Sequence, residues 1–128
     1  MRLLLDTHAV LWFATGDAAL SANARTRLID PQNEIWVSHA SVWEMAIKTS
    51  LRKLKLDREL GRWLERYVID NGFSFLPISL AHTLGVARLP HHHGDPFDRL
   101  LVAQCEIEHW SLVSRDPAFD AYGIQRVW

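Results

Sequence analysis

Four acids stand where a folded chain can gather them. Asp6 directly follows Leu3-Leu4-Leu5, and Glu44 lies within two turns of Ile35-Trp36-Val37. Asp98 comes just behind Asp95-Pro96, and Asp116 lies two residues past Ser111-Leu112-Val113-Ser114. Crowded carboxylates repel one another, and a protein avoids that arrangement unless a cation is present. An all-oxygen set with no cysteine partner suits Mg²⁺ or Mn²⁺ rather than Zn²⁺. Such a set around one or two ions suits in-line phosphodiester hydrolysis. One ion activates a water, and a second, ~3.5–4 Å away, can steady the leaving oxygen. Asp6, Glu44, Asp98 and Asp116 are therefore read both as the metal ligands and as the catalytic residues. Taken singly, each has a plainer role. Asp6 can cap the helix behind it, and Ser41-Val42-Trp43-Glu44 can form a capping box. Asp98 can be a favourable first-turn acid, and Asp116 before Pro117 can open a turn.

What brings the four together is the order of elements. The stretch His91 to Gln104 organises the chain. Asp95 suits an N-cap and Pro96 the first helical position, which plants Asp98 at the positive end of a helix running to about Glu108. Leu3–Leu5, Ile35–Val37, Phe73–Leu76, Ser111–Ser114 and Ile124–Val127 read as short buried strands. Helical spacing lies between them. Thr7–Ala14 is the first such segment. A second begins at Ser21, with Ala24, Leu28 and Ile29 on one face. A third runs from Ser38 or Ser41 to Leu51, with a stripe of Trp43, Ile47 and Leu51. A fourth is capped by Asp57, with Leu60, Leu64, Tyr67 and Val68 inward, and a fifth runs from Ser79 to about Arg88. Strands alternating with helices predict a single α/β domain, a central parallel sheet of four to five short strands with helices on both sides. Chemistry in such domains gathers at the carboxyl edge of the sheet, where all four acids fall.

A length of 128 residues suits one domain with a real core. The formal net charge of -1 provides no global basic field, so a nucleic-acid partner must be held by local patches or by metal ions. The single cysteine, Cys105, excludes an intrachain disulfide and fits a reducing, cytoplasmic setting. The acid after Leu3-Leu4-Leu5 argues against a signal sequence, and no apolar run reaches the ~20 residues of a membrane span.

Several segments together resemble the PIN-domain ribonucleases of the VapC type, the toxins of bacterial type II toxin–antitoxin pairs. They are Leu4-Leu5-Asp6-Thr7-His8, Ser41 to Lys48, Leu76-Pro77-Ile78, Leu89-Pro90-His91-His92, Asp95-Pro96-Phe97-Asp98-Arg99 with Ala103-Gln104, and Arg115-Asp116. They span nearly the whole chain. The resemblance implies a PIN-like fold and a metal site formed by Asp6, Glu44, Asp98 and Asp116. It also implies RNA as substrate and a homodimer. The partner is a VapB-type antitoxin whose tail wraps a groove and fills the acid pocket, giving a heterotetramer or larger complex. The family commonly has Thr two residues before the last acid; Ser114 keeps the hydroxyl. Gly94 stands where a polar or basic residue is expected.

Accessory candidates are Asp95, Thr7, Ser114 and Arg99. Asp95 is already explained as an N-cap. Arg99 and Arg115 adjoin site acids and can hold a substrate phosphate or pair with a carboxylate. Lys48, Arg52 and Lys53, with Lys55, form a basic run suited to RNA backbone contact, as do Arg58, Arg62 and Arg66 on one helix face. Consecutive histidines diverge, so His91-His92-His93 reads as loop packing or phosphate contact rather than a zinc site. Cys105 reads as core. Two other function classes stay open on the residues alone. One is a nuclease-fold binding module that no longer cuts, and the other is a metal-dependent phosphatase acting on small molecules.

Overall fold

The structure, a computed structural model, describes residues 1–128. Five parallel strands form one sheet in the order β3-β2-β1-β4-β5: β1 (Arg2–Leu5), β2 (Glu34–Ser38), β3 (Ser74–Leu76), β4 (Ser111–Val113) and β5 (Arg126–Val127). The helices are α1 (Thr7–Thr15), α2 (Ala22–Ile29), α3 (His39–Ser50), α4 (Leu60–Leu64), α5 (Leu80–Ala87) and α6 (Pro96–Glu108). A π-helical turn (Glu65–Ile69) continues α4, and a 3₁₀ segment (Pro117–Tyr122) precedes β5.

Leu3, Leu4 and Leu5 are wholly buried, as a central parallel strand covered on both faces requires. Leu3 and Leu5 join a core with Ala9, Val10, Met45 and Trp63, while Leu4 joins the other core with Leu101, Leu112 and Phe119. The chain builds outward from β1 through β2 to β3, then returns to add β4 and β5 on the other side. That reversal beside β1 is the topological switch point at which open α/β sheets leave a crevice.

Local rules account for most helix boundaries. Ser21 caps α2 by accepting from the Ala24 amide at 3.0 Å. Ser79 and His82 cap α5 reciprocally. Asp95 caps α6, with Pro96 at the start and His109 left-handed at the end (φ 59°).

Three expectations are corrected. The fourth helix is capped by Glu59, whose carboxylate accepts from the Gly61 and Arg62 amides. Asp57 instead accepts from the Tyr67 hydroxyl at 2.6 Å. The stripe of Trp43, Ile47 and Leu51 exists but faces outward; α3 buries Ala40, Ser41, Glu44 and Met45. Periodicity found the apolar stripe without telling which face the sheet takes. Ile29 likewise leaves the core face of α2 and is exposed.

Candidate active site

The carboxyl edge of the sheet holds a cavity of about 160 Å³ lined by Asp6, Glu44, Asp95, Asp98 and Asp116, with Thr7, His8, Lys48 and Phe119. Asp6 ends β1 and caps α1, its Oδ1 accepting from the Ala9 amide at 2.7 Å. Asp116 follows β4 and caps the 3₁₀ segment, accepting from the Ala118 amide at 2.9 Å. Both plain capping roles are thus real, and they also fix where these carboxylates stand. The capping box expected at Ser41 and Glu44 does not form. Ser38 caps α3, and Glu44 lies a turn further in.

Glu44 is held from two sides. Thr7 Oγ1 lies 2.6 Å from Glu44 Oε1 and 3.0 Å from Ser41 Oγ. With one proton to give, the Thr7 hydroxyl donates to the carboxylate and accepts from Ser41. Lys48 Nζ donates to Glu44 Oε2 at 2.6 Å, four residues along α3. Ser114 is fully buried, and its Oγ accepts from the Asp116 amide at 3.1 Å. Thr7, next to Asp6 in sequence, thus holds Glu44, while Ser114 fixes the backbone at Asp116.

The electrostatics follow from this crowding. Burial pushes the Asp98 carboxyl up to about 7, and the charges of Asp95, Asp6, Glu44 and Asp116 push the same way. Burial also raises Asp6, opposed by the Ser114 hydroxyl, the Ala9 amide and His8. No three His, Cys, Asp or Glu side chains stand close enough, as placed, to hold an ion together. Glu44 is instead engaged by Thr7 and Lys48, and Asp6 and Asp116 by the amides they cap. The donor set still fits a hard cation. It is all oxygen, it comes from four separate elements, and the unfavourable ionisation of Asp98 is the electrostatic deficit a divalent ion cancels. Asp6, Glu44, Asp98 and Asp116 are the residues that could hold one, with Asp95 behind Asp98 as its helix cap.

Arg99 does not serve the acids. Its buried guanidinium donates to the carbonyls of Pro90 (2.8 Å), Val86 (3.2 Å) and Leu89 (3.4 Å), closing the end of α5. Lys48 belongs to the cavity itself, whereas Arg52 and Lys53 lie exposed in the turn after α3. Arg115 lies over the Trp12 ring at 6.0 Å. Sequence reasoning missed His8, Phe119 and the Ser41–Thr7 link. His8 had a signal in its position two residues after Asp6; the other two depend on packing alone.

The fold and this edge of acids define a PIN-type nuclease architecture, and comparison with known proteins agrees. The PIN domain family profile matches residues 3–125. Ribonuclease VapC22 of Mycobacterium tuberculosis is 31% identical over 115 residues, covering 89% of this chain and 86% of that protein. VapBC2 from Rickettsia felis, bound to a DNA fragment from its promoter, shares the fold with a TM-score of 0.71 at 16% identity, over 98% of this chain and 97% of the other. DNA-bound VapBC from Salmonella typhimurium gives 0.67 at 13% identity, over 98% and 96%. The chain belongs to the PIN-domain family, in its VapC-type branch.

Proposed function

We propose that this protein is a Mg²⁺- or Mn²⁺-dependent endoribonuclease toxin, neutralised by a VapB-type antitoxin and acting in the cytoplasm. The observation that carries the reading is the convergence of Asp6, Glu44, Asp98 and Asp116 on one cavity, where burial and then the neighbouring acids push the Asp98 carboxyl up to about 7. The VapC22 relative, a ribonuclease by name, supports RNA as substrate. When bound, a divalent ion supplies Lewis acidity and lowers the pKa of a water. The chain's own residues do the rest. Thr7 orients the Glu44 carboxylate, and Ser114 fixes the backbone that carries Asp116. Lys48 brings a cation to a phosphate that would otherwise meet only acids. Arg52 and Lys53 offer backbone contacts along the approach.

Two surfaces support the partners. A largely apolar groove of about 550 Å³ runs between α1 and the segment leading into α4, walled by Leu11, Trp12, Leu54, Leu56, Trp63 and Tyr67. It suits an antitoxin segment whose Arg or Lys then reaches the acids bidentately or as a point charge. On the outward stripe of α3, Trp43 is 57% exposed and shares an apolar pocket with Val86 of α5 and Pro96, Phe97 and Leu100 of α6. This apolar face suits a second copy of the chain, and so a homodimer within the toxin–antitoxin complex. No helix is long and apolar enough to cross a membrane.

Purified, antitoxin-free protein incubated with RNA in Mn²⁺, Mg²⁺ or EDTA tests the reading. Internal cleavage that needs the ion is expected. Undiminished cleavage in EDTA, or none under any ion, contradicts it.

A further inference from the structure

The histidine tract has no part in the function described so far, yet its third member reaches the acid site. His93 is nearly enclosed, its side chain 10% exposed, with its ring stacked on Tyr122 (centroids 5.5 Å apart, planes 14° apart) and packed on Phe119 at 4.6 Å. Its backbone amide donates to the Tyr122 hydroxyl oxygen at 2.9 Å. The same oxygen lies 3.2 Å from His93 Nδ1, and His93 Nε2 lies 3.4 Å from Asp116 Oδ2. His91 and His92 are exposed, and His92 only meets the Tyr122 ring edge-on.

These contacts assign the tautomer. The Tyr122 oxygen accepts the amide proton and donates its own proton to the Nδ1 lone pair. In the neutral ring the proton then sits on Nε2, facing a carboxylate that can only accept. The opposite tautomer would aim the Nε2 lone pair at Asp116. The other Asp116 oxygen is taken by the Ala118 amide. Both oxygens are thereby oriented, one by the helix cap and one by His93, and Oδ2 keeps a lone pair for a cation.

We propose that His93 is a positioning residue for Asp116. Its Nε2–H, fixed by the Tyr122 hydroxyl, aims the carboxylate at the cation site as outer partners of metal ligands do. The claim rests on reading the acids as that site. His93 touches neither substrate nor reacting atoms and acts through Asp116 alone.

The test has a readout independent of activity. Two-bond ¹H–¹⁵N correlation spectra in EDTA, at a pH where the ring is neutral, report which nitrogen carries the proton; His93→Gln assigns the signal. The Nε2–H form is expected, and Tyr122→Phe should shift the ring towards a mixture. A His93 signal with the proton on Nδ1 overturns the proposal. Mn²⁺ binding is then measured for wild type, His93→Ala and His93→Gln, each checked for folding by melting in EDTA. His93→Ala should weaken binding by about 10–100-fold, and His93→Gln, whose amide nitrogen can stand in for Nε2–H, should recover most of it. If His93→Ala does not fold, Tyr122→Phe takes its place, with a smaller loss expected. Unchanged Mn²⁺ affinity in a folded His93→Ala, or in Tyr122→Phe standing in for it, refutes the positioning role while leaving the metal site intact. A wild type that binds no Mn²⁺ removes the site, and the role with it.

Discussion

Replacing Asp98 by Asn removes one charge from the cluster at nearly constant shape, and the structure sets the size of the effect. The Asp98 carboxyl rises from 3.8 to about 7 in the fold, through burial first and then the four neighbouring acids. For a fully buried group a shift of this size would be worth about 4 kcal/mol, and solvent screening of this half-buried carboxylate cuts it to about 2 kcal/mol. A carboxyl whose folded pKa lies above its unfolded value holds its proton more tightly when folded. It costs nothing below about pH 4, and its penalty grows as pH rises through the window and is complete above about pH 7. Asn carries no such penalty but forfeits the favourable first-turn charge, about 0.3–1 kcal/mol. In EDTA at about pH 8, Asp98→Asn should therefore be more stable than wild type by about 1–2 kcal/mol, or roughly 5 °C in melting temperature for a domain of this size. At about pH 4 the advantage should vanish or reverse. Melting curves of both proteins across this range give the difference directly, and other acids largely cancel. A variant less stable than wild type at pH 8 by the same margin as at pH 4 would show that Asp98 is only a helix-terminus acid.

Thr7→Val keeps the shape but leaves Glu44 without its 2.6 Å donor, so Mn²⁺ affinity should fall by about 10–100-fold, read by calorimetry. Arg99→Met strips donors from three carbonyls. It should lower unfolding free energy by about 2–4 kcal/mol while the folded fraction keeps its metal response, as denaturant melts with and without Mn²⁺ will show. Arg52→Ala with Lys53→Ala should raise KM and flatten the salt dependence of cleavage at nearly constant kcat, whereas Lys48→Met should lower kcat. Excess Mg²⁺ should weaken inhibition by an antitoxin tail peptide carrying Arg; inhibition indifferent to Mg²⁺ would exclude direct competition for the acids.

Much of this architecture is legible before folding because the signals are local. Leu3-Leu4-Leu5 reads as a doubly covered strand and is one, and Asp95-Pro96 fixes the start of α6 to the residue. The convergence of the acids follows from element direction, since each lies at the carboxyl end of a strand or in the early turns of a helix that runs antiparallel to the strands. What stayed hidden depends on choices that sequence spacing does not constrain. Trp43, Ile47 and Leu51 form a stripe whichever way α3 rolls, and the buried side is decided by Met45 meeting the core while Glu44 meets Thr7. Arg99 beside Asp98 looks like a pair in sequence, but adjacent helical residues point some 100° apart, and Arg99 turns to the end of α5. Lys48 lies four residues from Glu44, so its ion pair was available from spacing; the basic run Lys48, Arg52 and Lys53 masked it.

The central claim is that carboxylates from four separate elements make one cation site. Mn²⁺ binding at neutral pH, followed by electron paramagnetic resonance on wild type and on Asp98→Asn, tests it without any assumption about RNA. The account predicts saturable binding to the wild type at a small whole number of sites per chain and its near-complete loss in Asp98→Asn. Saturable Mn²⁺ binding that survives Asp98→Asn unchanged would contradict it.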